Sequence, residues 1–195
     1  MSLSRGFALA AAVGLLLGVA TQLGQSLLPV GVGQLANSIS PWLSVAFAVG
    51  AFQARPRNAA AAGFVSLAMA LVGYYAMVFV RFGYATVGST LALWTIGALA
   101  GGLVFGPAGY YWRGGTFRAR TIAVALLGAA WVAEAGYLAL VLQMTEVAVG
   151  YAVIGLAVPL LLGRTGRGRI MAWAAMVPAV LLGALGFVAV IAVVG

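Results

Sequence analysis

Apolar residues run through the chain in long blocks, broken by short clusters of Gly, Pro, Ser, Asn and Arg. The blocks cover residues 6–27, 40–54, 58–80, 88–112, 120–143, 147–163 and 170–194. Most hold the ~20 residues that a helix needs to cross a hydrocarbon core of roughly 30 Å. The pattern predicts an all-α, polytopic transmembrane helix bundle of about seven spans. The number falls to six if ISPWLSVAFAVGAFQ, which is short for a crossing, does not traverse fully. Pro41 near its start suits a first helical turn.

Composition fits that picture: 65% of the 195 residues are hydrophobic and 6% are charged. A soluble domain of this size has too little interior for so much apolar surface. The first block, with Arg5 before FALAAAVGLLLGVA and a weak Gly18-Val19-Ala20 triplet, has some features of a secretory leader. Its apolar run continues past that triplet, so a retained helix is expected. No block of polar sequence remains for a soluble domain, and residues 1–195 are expected to form one transmembrane domain.

The charge pattern sets the orientation. All ten cations are Arg. With the N-terminus in the cytoplasm, Arg5, Arg55, Arg57, Arg113, Arg118, Arg120, Arg164, Arg167 and Arg169 all lie inside, and only Arg81 lies outside. A nine-to-one bias is a strong positive-inside signal and places the C-terminus outside. A bacterial cell membrane is the expected location. The net charge of +8 belongs to this topology. No basic patch is interleaved with aromatics, so nucleic acid is not an expected partner, whereas membrane lipid is.

Absent residue types narrow the chemistry. There is no Cys and no His, which removes thiolate nucleophiles, iron–sulfur ligation and the commonest general base. Lys and Asp are also missing, and the only carboxylates are Glu134 and Glu146. A retinal Schiff base, a Ser–His or aspartyl intramembrane protease and an aspartate-rich metal-dependent transferase are all ruled out. GPAGYYWRGGTFRAR and GRTGRGR are Gly/Arg-rich inner turns that lack the phosphate-loop Lys. No catalytic residue, metal site or cofactor is expected, and the chain is not expected to be an enzyme.

Polar residues within the blocks share helical faces. Gly14, Gly18, Gln22 and Gln25 form one stripe; Tyr74, Met77 and Arg81 another; Thr90, Trp94, Gly97 and Gly101 a third; Gly128, Trp131, Glu134 and Tyr137 a fourth. Small residues occupy the inner halves, where they let helices approach closely. Polar and aromatic residues occupy the outer halves, as in a bundle closed inside and hollow outside. Tyr110, Tyr111, Trp112 and Trp173 are expected as inner interfacial anchors, and Tyr84 and Tyr151 as part of the outer belt. PVGVGQLANSIS, residues 29–40, reads as the longest outer loop, with Asn37 available to a bound solute if the loop acts as a lid.

Glu134 stands about 14 residues into its block, roughly 20 Å from the inner surface at 1.5 Å per residue. An intramembrane carboxylate costs a few kcal/mol and marks a functional position by default. Three roles stay open: contact with a solute, a structural pair with Arg81, or ion coupling. The candidate solute ligands are Glu134, Trp131, Tyr137, Tyr74, Arg81, Trp94, Gln22, Gln25 and Asn37.

The run TQLGQSLLP…GQLANSISPWLSVAFAVGA, with GYYA and FGPAGYYWR later, resembles a family of small bacterial membrane proteins of unknown function. The size, the small-residue first helix and the GGLVFGPAGYYW turn also resemble substrate-binding subunits of energy-coupling-factor vitamin transporters. That second resemblance implies an outward-opening pocket and docking of Ala8 and Ala12 on an energising transmembrane and ATPase module. It departs from that family in span count, which is usually six. The sequence therefore points to a membrane protein that captures a small, aromatic or cationic solute from outside. The alternative is a non-catalytic accessory protein that binds lipid or a partner.

Overall fold

The computed structural model describes residues 3–36, 38–83 and 89–194. Among the described residues there are eight α-helices and no strand. They are α1 (Leu3–Leu27), α2 (Val30–Ala36), α3 (Ile39–Ala51), α4 (Pro56–Phe82), α5 (Ser89–Gly114), α6 (Phe117–Leu140), α7 (Thr145–Leu162) and α8 (Gly166–Val194). Seven of these coincide with the seven apolar blocks. The exception is α2, which occupies the stretch expected to be a loop. It starts just after Pro29, whose carbonyl accepts from Gly33 N–H at 2.7 Å. It packs on α1, where the missing side chain of Gly24 makes room for the Ala36 methyl.

Helices α1, α4, α6, α7 and α8 are each long and apolar enough to cross a membrane. At 13 residues, α3 rises only about 20 Å. Element ends follow local chemistry. Pro56 opens α4, where its missing N–H costs nothing, and Gly83 closes it with φ 72°. Thr116 caps α6 by accepting from Ala119 N–H at 3.3 Å.

The chain divides into two compact units, Met1–Tyr110 and Tyr111–Gly195. In the first unit, a Cβ on Gly14 would strike the Ser66 carbonyl and one on Gly18 the Ala70 carbonyl. Contact positions thus advance together along both helices, so α1 and α4 run parallel. Ala46 clusters with Leu67 and Leu71, while Val49 clusters with Ala62. The order is reversed there, and α3 runs antiparallel to α4. Gly102 abuts Phe64 and Gly106 abuts Ala59, which makes α5 antiparallel to α4 as well. The directions thus alternate, α1 and α4 one way and α3 and α5 the other.

In the second unit, Gly128 meets Gly155 and Leu138 clusters with Ala148, so α6 and α7 are antiparallel. Tyr137 stacks on Phe187 at 4.9 Å and Ala129 clusters with Met176, which sets α8 parallel to α6. The arginine-rich turns satisfy carbonyls left open where helices end. Arg164 Nη2 donates to Arg113 O, and Arg169 Nε donates to Gly163 O, both at 3.1 Å. Trp112 Nε1 likewise donates to Leu162 O at 3.1 Å.

Candidate functional site

The glycine pairing that seals one end of the first unit stops at Gly18, and beyond it α1 carries Thr21, Gln22, Gln25 and Ser26. These side chains are too large for the close approach that Gly14 and Gly18 allow. The result is a cavity of about 500 Å³ among α1, the α2–α3 junction, α4 and α5. A volume of that order suits a small organic molecule. Its polar lining comes from Thr21, Gln22, Gln25, Ser26 and Ser38, and its aromatic lining from Trp42, Tyr74, Tyr75, Phe82 and Trp94. On the α5 side, Gly97 lines the cavity and has nothing within 4 Å of where its Cβ would stand.

Side chains cross-brace the polar wall. Trp42 Nε1 donates to Thr21 Oγ1 at 3.0 Å, which fixes the start of α3 against α1. The Tyr74 hydroxyl donates to Gln25 Oε1 at 3.1 Å. Arg81 Nη1 donates to Gln22 Oε1 at 3.2 Å. Gln22 Nε2 has Ser26 Oγ at 3.5 Å, the long limit of a hydrogen bond. Tyr74 and Tyr75 meet edge-to-face at 5.3 Å, a favoured aromatic geometry. Thr21 and Gln22 are both buried, so the braces work where water competes little.

The predicted ligands thus separate by unit. Gln22, Gln25, Tyr74 and Trp94 line the cavity, and Arg81 braces Gln22 from behind. Asn37 lies outside the described residues. Trp131, Glu134 and Tyr137 belong to the second unit. There Trp131 packs on Tyr151 at 5.2 Å between ring centroids, and Tyr137 stacks on Phe187. Glu134 is 3% exposed, held within α6 among the residues that pack that unit. Tyr151, expected in the outer belt, is instead 1% exposed. Its position on α7 opposite Trp131 makes it a core residue.

Ala8 and Ala12 are exposed on α1, on the side away from the Gly14/Gly18 contact with α4. Of the expected small-residue pair on α5, Gly101 approaches Leu43, but Gly97 opens into the cavity. Gly102 and Gly106 make the close helix contact instead. Thr21, Ser26, Trp42 and Tyr75 were missed as lining residues. Thr21 stands three residues after Gly18 and four before Gln25, on the same face as the stripe, so helical spacing alone could have included it. Trp42 reads from sequence as the start of a short helix and gives no sign of facing α1.

The second unit has a groove of about 740 Å³ lined by apolar side chains from α6, α7 and α8. Its one N–H of note, Trp173 Nε1, is taken by Leu156 O at 3.0 Å. Nothing in that lining orients a polar solute. Among the described residues no cluster of three His, Cys, Asp or Glu side chains exists that could hold a metal ion.

A family model described as a family of unknown function, DUF6518, matches residues 1–193. No curated protein matches the chain, nor does any solved structure.

Proposed function

The chain belongs to this family of unknown function, and on the geometry of its first unit we propose that it is a non-catalytic, solute-binding membrane protein. The observation that carries the proposal is the braced cavity: about 500 Å³, walled by Trp42, Tyr74, Tyr75 and Trp94, with buried amide and hydroxyl groups along one side. Pockets for small molecules combine an apolar, aromatic wall with a few fixed polar groups in this way. Orientation supports capture from outside. The cavity lies toward the C-terminal ends of α1 and α4, beside Arg81, whereas Arg5, Arg55 and Arg57 mark the opposite ends. By the positive-inside rule those ends face the cytoplasm, here of a bacterial cell.

The solute is a flat, ring-bearing molecule. Aromatic walls favour stacking on a ring, and of the two features that suggested a cationic solute, aromatic faces and a carboxylate, the cavity lining supplies only the first. Delivery by an energising partner is consistent with the exposed Ala8, Ala12 and Leu16 on the outer side of α1.

The test is a thermal-shift screen of the detergent-purified protein against neutral, anionic and cationic ring compounds. At least one is expected to raise the melting temperature of the native protein and not that of Gly97→Leu, whose side chain would fill the cavity. A screen without hits, or hits that persist in Gly97→Leu, would favour an accessory membrane protein.

A further inference from the structure

We infer that the cavity is built to present hydrogen-bond donors, so its solute is a planar molecule whose polar end is an acceptor, a carboxylate above all, and not an amine. The inference rests on the cavity being a solute site. It follows from the donors that already occupy acceptor atoms of the polar wall.

Arginine has five N–H donors and no acceptor. The Gln22 atom facing Arg81 must therefore be its carbonyl oxygen, which leaves the amide NH2 as the end free to turn toward the cavity. Its contact in the structure, Ser26 Oγ at 3.5 Å, is long enough to yield to a better acceptor. The same logic applies to Thr21. Indole nitrogen only donates, so Trp42 Nε1 occupies a lone pair of Thr21 Oγ1 and leaves the hydroxyl proton to donate elsewhere. Arg81, outside the lining, and Trp42, within it, thus each occupy an acceptor of the polar wall.

Gln22 and Thr21 with their polarity reversed would suit an ammonium group. An ammonium has three donors and no acceptor, and it would face amide and hydroxyl hydrogens here. A carboxylate is acceptor-only and receives charge-assisted bonds from such groups. Arg81 adds a positive charge behind Gln22, which favours an anion in the cavity without the guanidinium having to enter it. The rings of Trp42, Tyr74, Tyr75 and Trp94 fit the planar portion.

The test uses a pair of probes matched in ring and chain, indole-3-acetate and tryptamine, titrated calorimetrically into the full-length protein in detergent. Indole-3-acetate is expected to bind at least tenfold more tightly. Gln22→Glu keeps an oxygen for Arg81 but replaces the amide hydrogens with a second acceptor, so it is expected to reverse the order. Thr21→Val, which removes the hydroxyl at nearly constant shape, is expected to weaken the acid severalfold and leave the amine unchanged. Tryptamine binding as tightly as the acid, or more tightly, would overturn the donor assignment while leaving the cavity as a solute site. An unchanged order in Gln22→Glu would also overturn it. If neither probe binds, the donor assignment falls, and the thermal-shift screen decides the solute site independently.

Discussion

Arg81, in the last turn of α4, donates to the side-chain oxygen of Gln22 in α1, 59 residues away in sequence and 3.2 Å away in space. The arginine is exposed and the glutamine is buried. Water screens the charged partner, so the bond itself contributes about 1 kcal/mol or less to stability. Its larger effect is to hold one orientation of a cavity amide. Arg81→Met is therefore expected to lower the melting temperature by only a few degrees while weakening binding of an acidic ring compound about tenfold. A thermal melt and a calorimetric titration on the same preparation check both halves.

The helix contact at Gly18 predicts a sharp contrast with Gly97. A methyl on Gly18 would collide with the Ala70 carbonyl and lie 2.7 Å from the Tyr74 nitrogen. Backbone cannot step aside as a side chain does. Gly18→Ala is expected to destabilise by about 2–3 kcal/mol, in the range for overpacking. Gly97→Ala meets nothing within 4 Å and gains helix propensity of up to about 1 kcal/mol, so it is expected to be neutral or slightly stabilising. Thermal unfolding of the two variants in one detergent distinguishes them.

Tyr151 and Tyr111 offer the same contrast for the second unit. Tyr151 is among the largest fully buried side chains, whereas Tyr111 is 40% exposed. Tyr151→Ala removes a ring packed against Trp131 and is expected to cost about 3–5 kcal/mol. Tyr111→Ala is expected to cost under about 1 kcal/mol. Comparable losses would mean that α6 and α7 do not pack through this pair.

Because the chain has no native cysteine, its orientation can be read from single-cysteine variants. Leu28→Cys and Gln143→Cys are expected to react with a membrane-impermeant maleimide on intact cells. Arg57→Cys and Arg167→Cys are expected to react only after permeabilisation. The reverse pattern would turn the cavity toward the cytoplasm and remove the basis for capture from outside.

Much of this was legible in sequence because lipid imposes simple rules. Seven apolar blocks became seven helices, since a backbone in hydrocarbon must satisfy its own hydrogen bonds. Along the Gly14–Gly18–Gln22–Gln25 stripe the two glycines pack closely on α4 and the two glutamines line a cavity, since side-chain volume decides how near α4 can come. The partition of the aromatic residues was not legible. Trp131 and Tyr137 show the same helical spacing as cavity residues, yet they pack against Tyr151 and Phe187. Which face of α6 meets α7 and α8 depends on tertiary pairing, which periodicity does not encode. The short α2 was hidden for a different reason. Gly31 and Gly33 weaken its intrinsic helicity, and its contact with α1 through Gly24 and Ala36 is what supports it.

Glu134 drew attention as the only carboxylate deep in a span, but the braced cavity of the first unit draws its lining from other residues. The most direct test is to locate a bound solute by photo-crosslinking. A diazirine-bearing version of any ring compound that stabilises the protein would be irradiated in place, and its adducts mapped by peptide mass spectrometry. Adducts on Thr21–Ser26, Trp42, Tyr74, Tyr75 or Trp94 are the expected result. Adducts concentrated on Trp131, Glu134 or Tyr137 would contradict the account and return the solute to the carboxylate of α6.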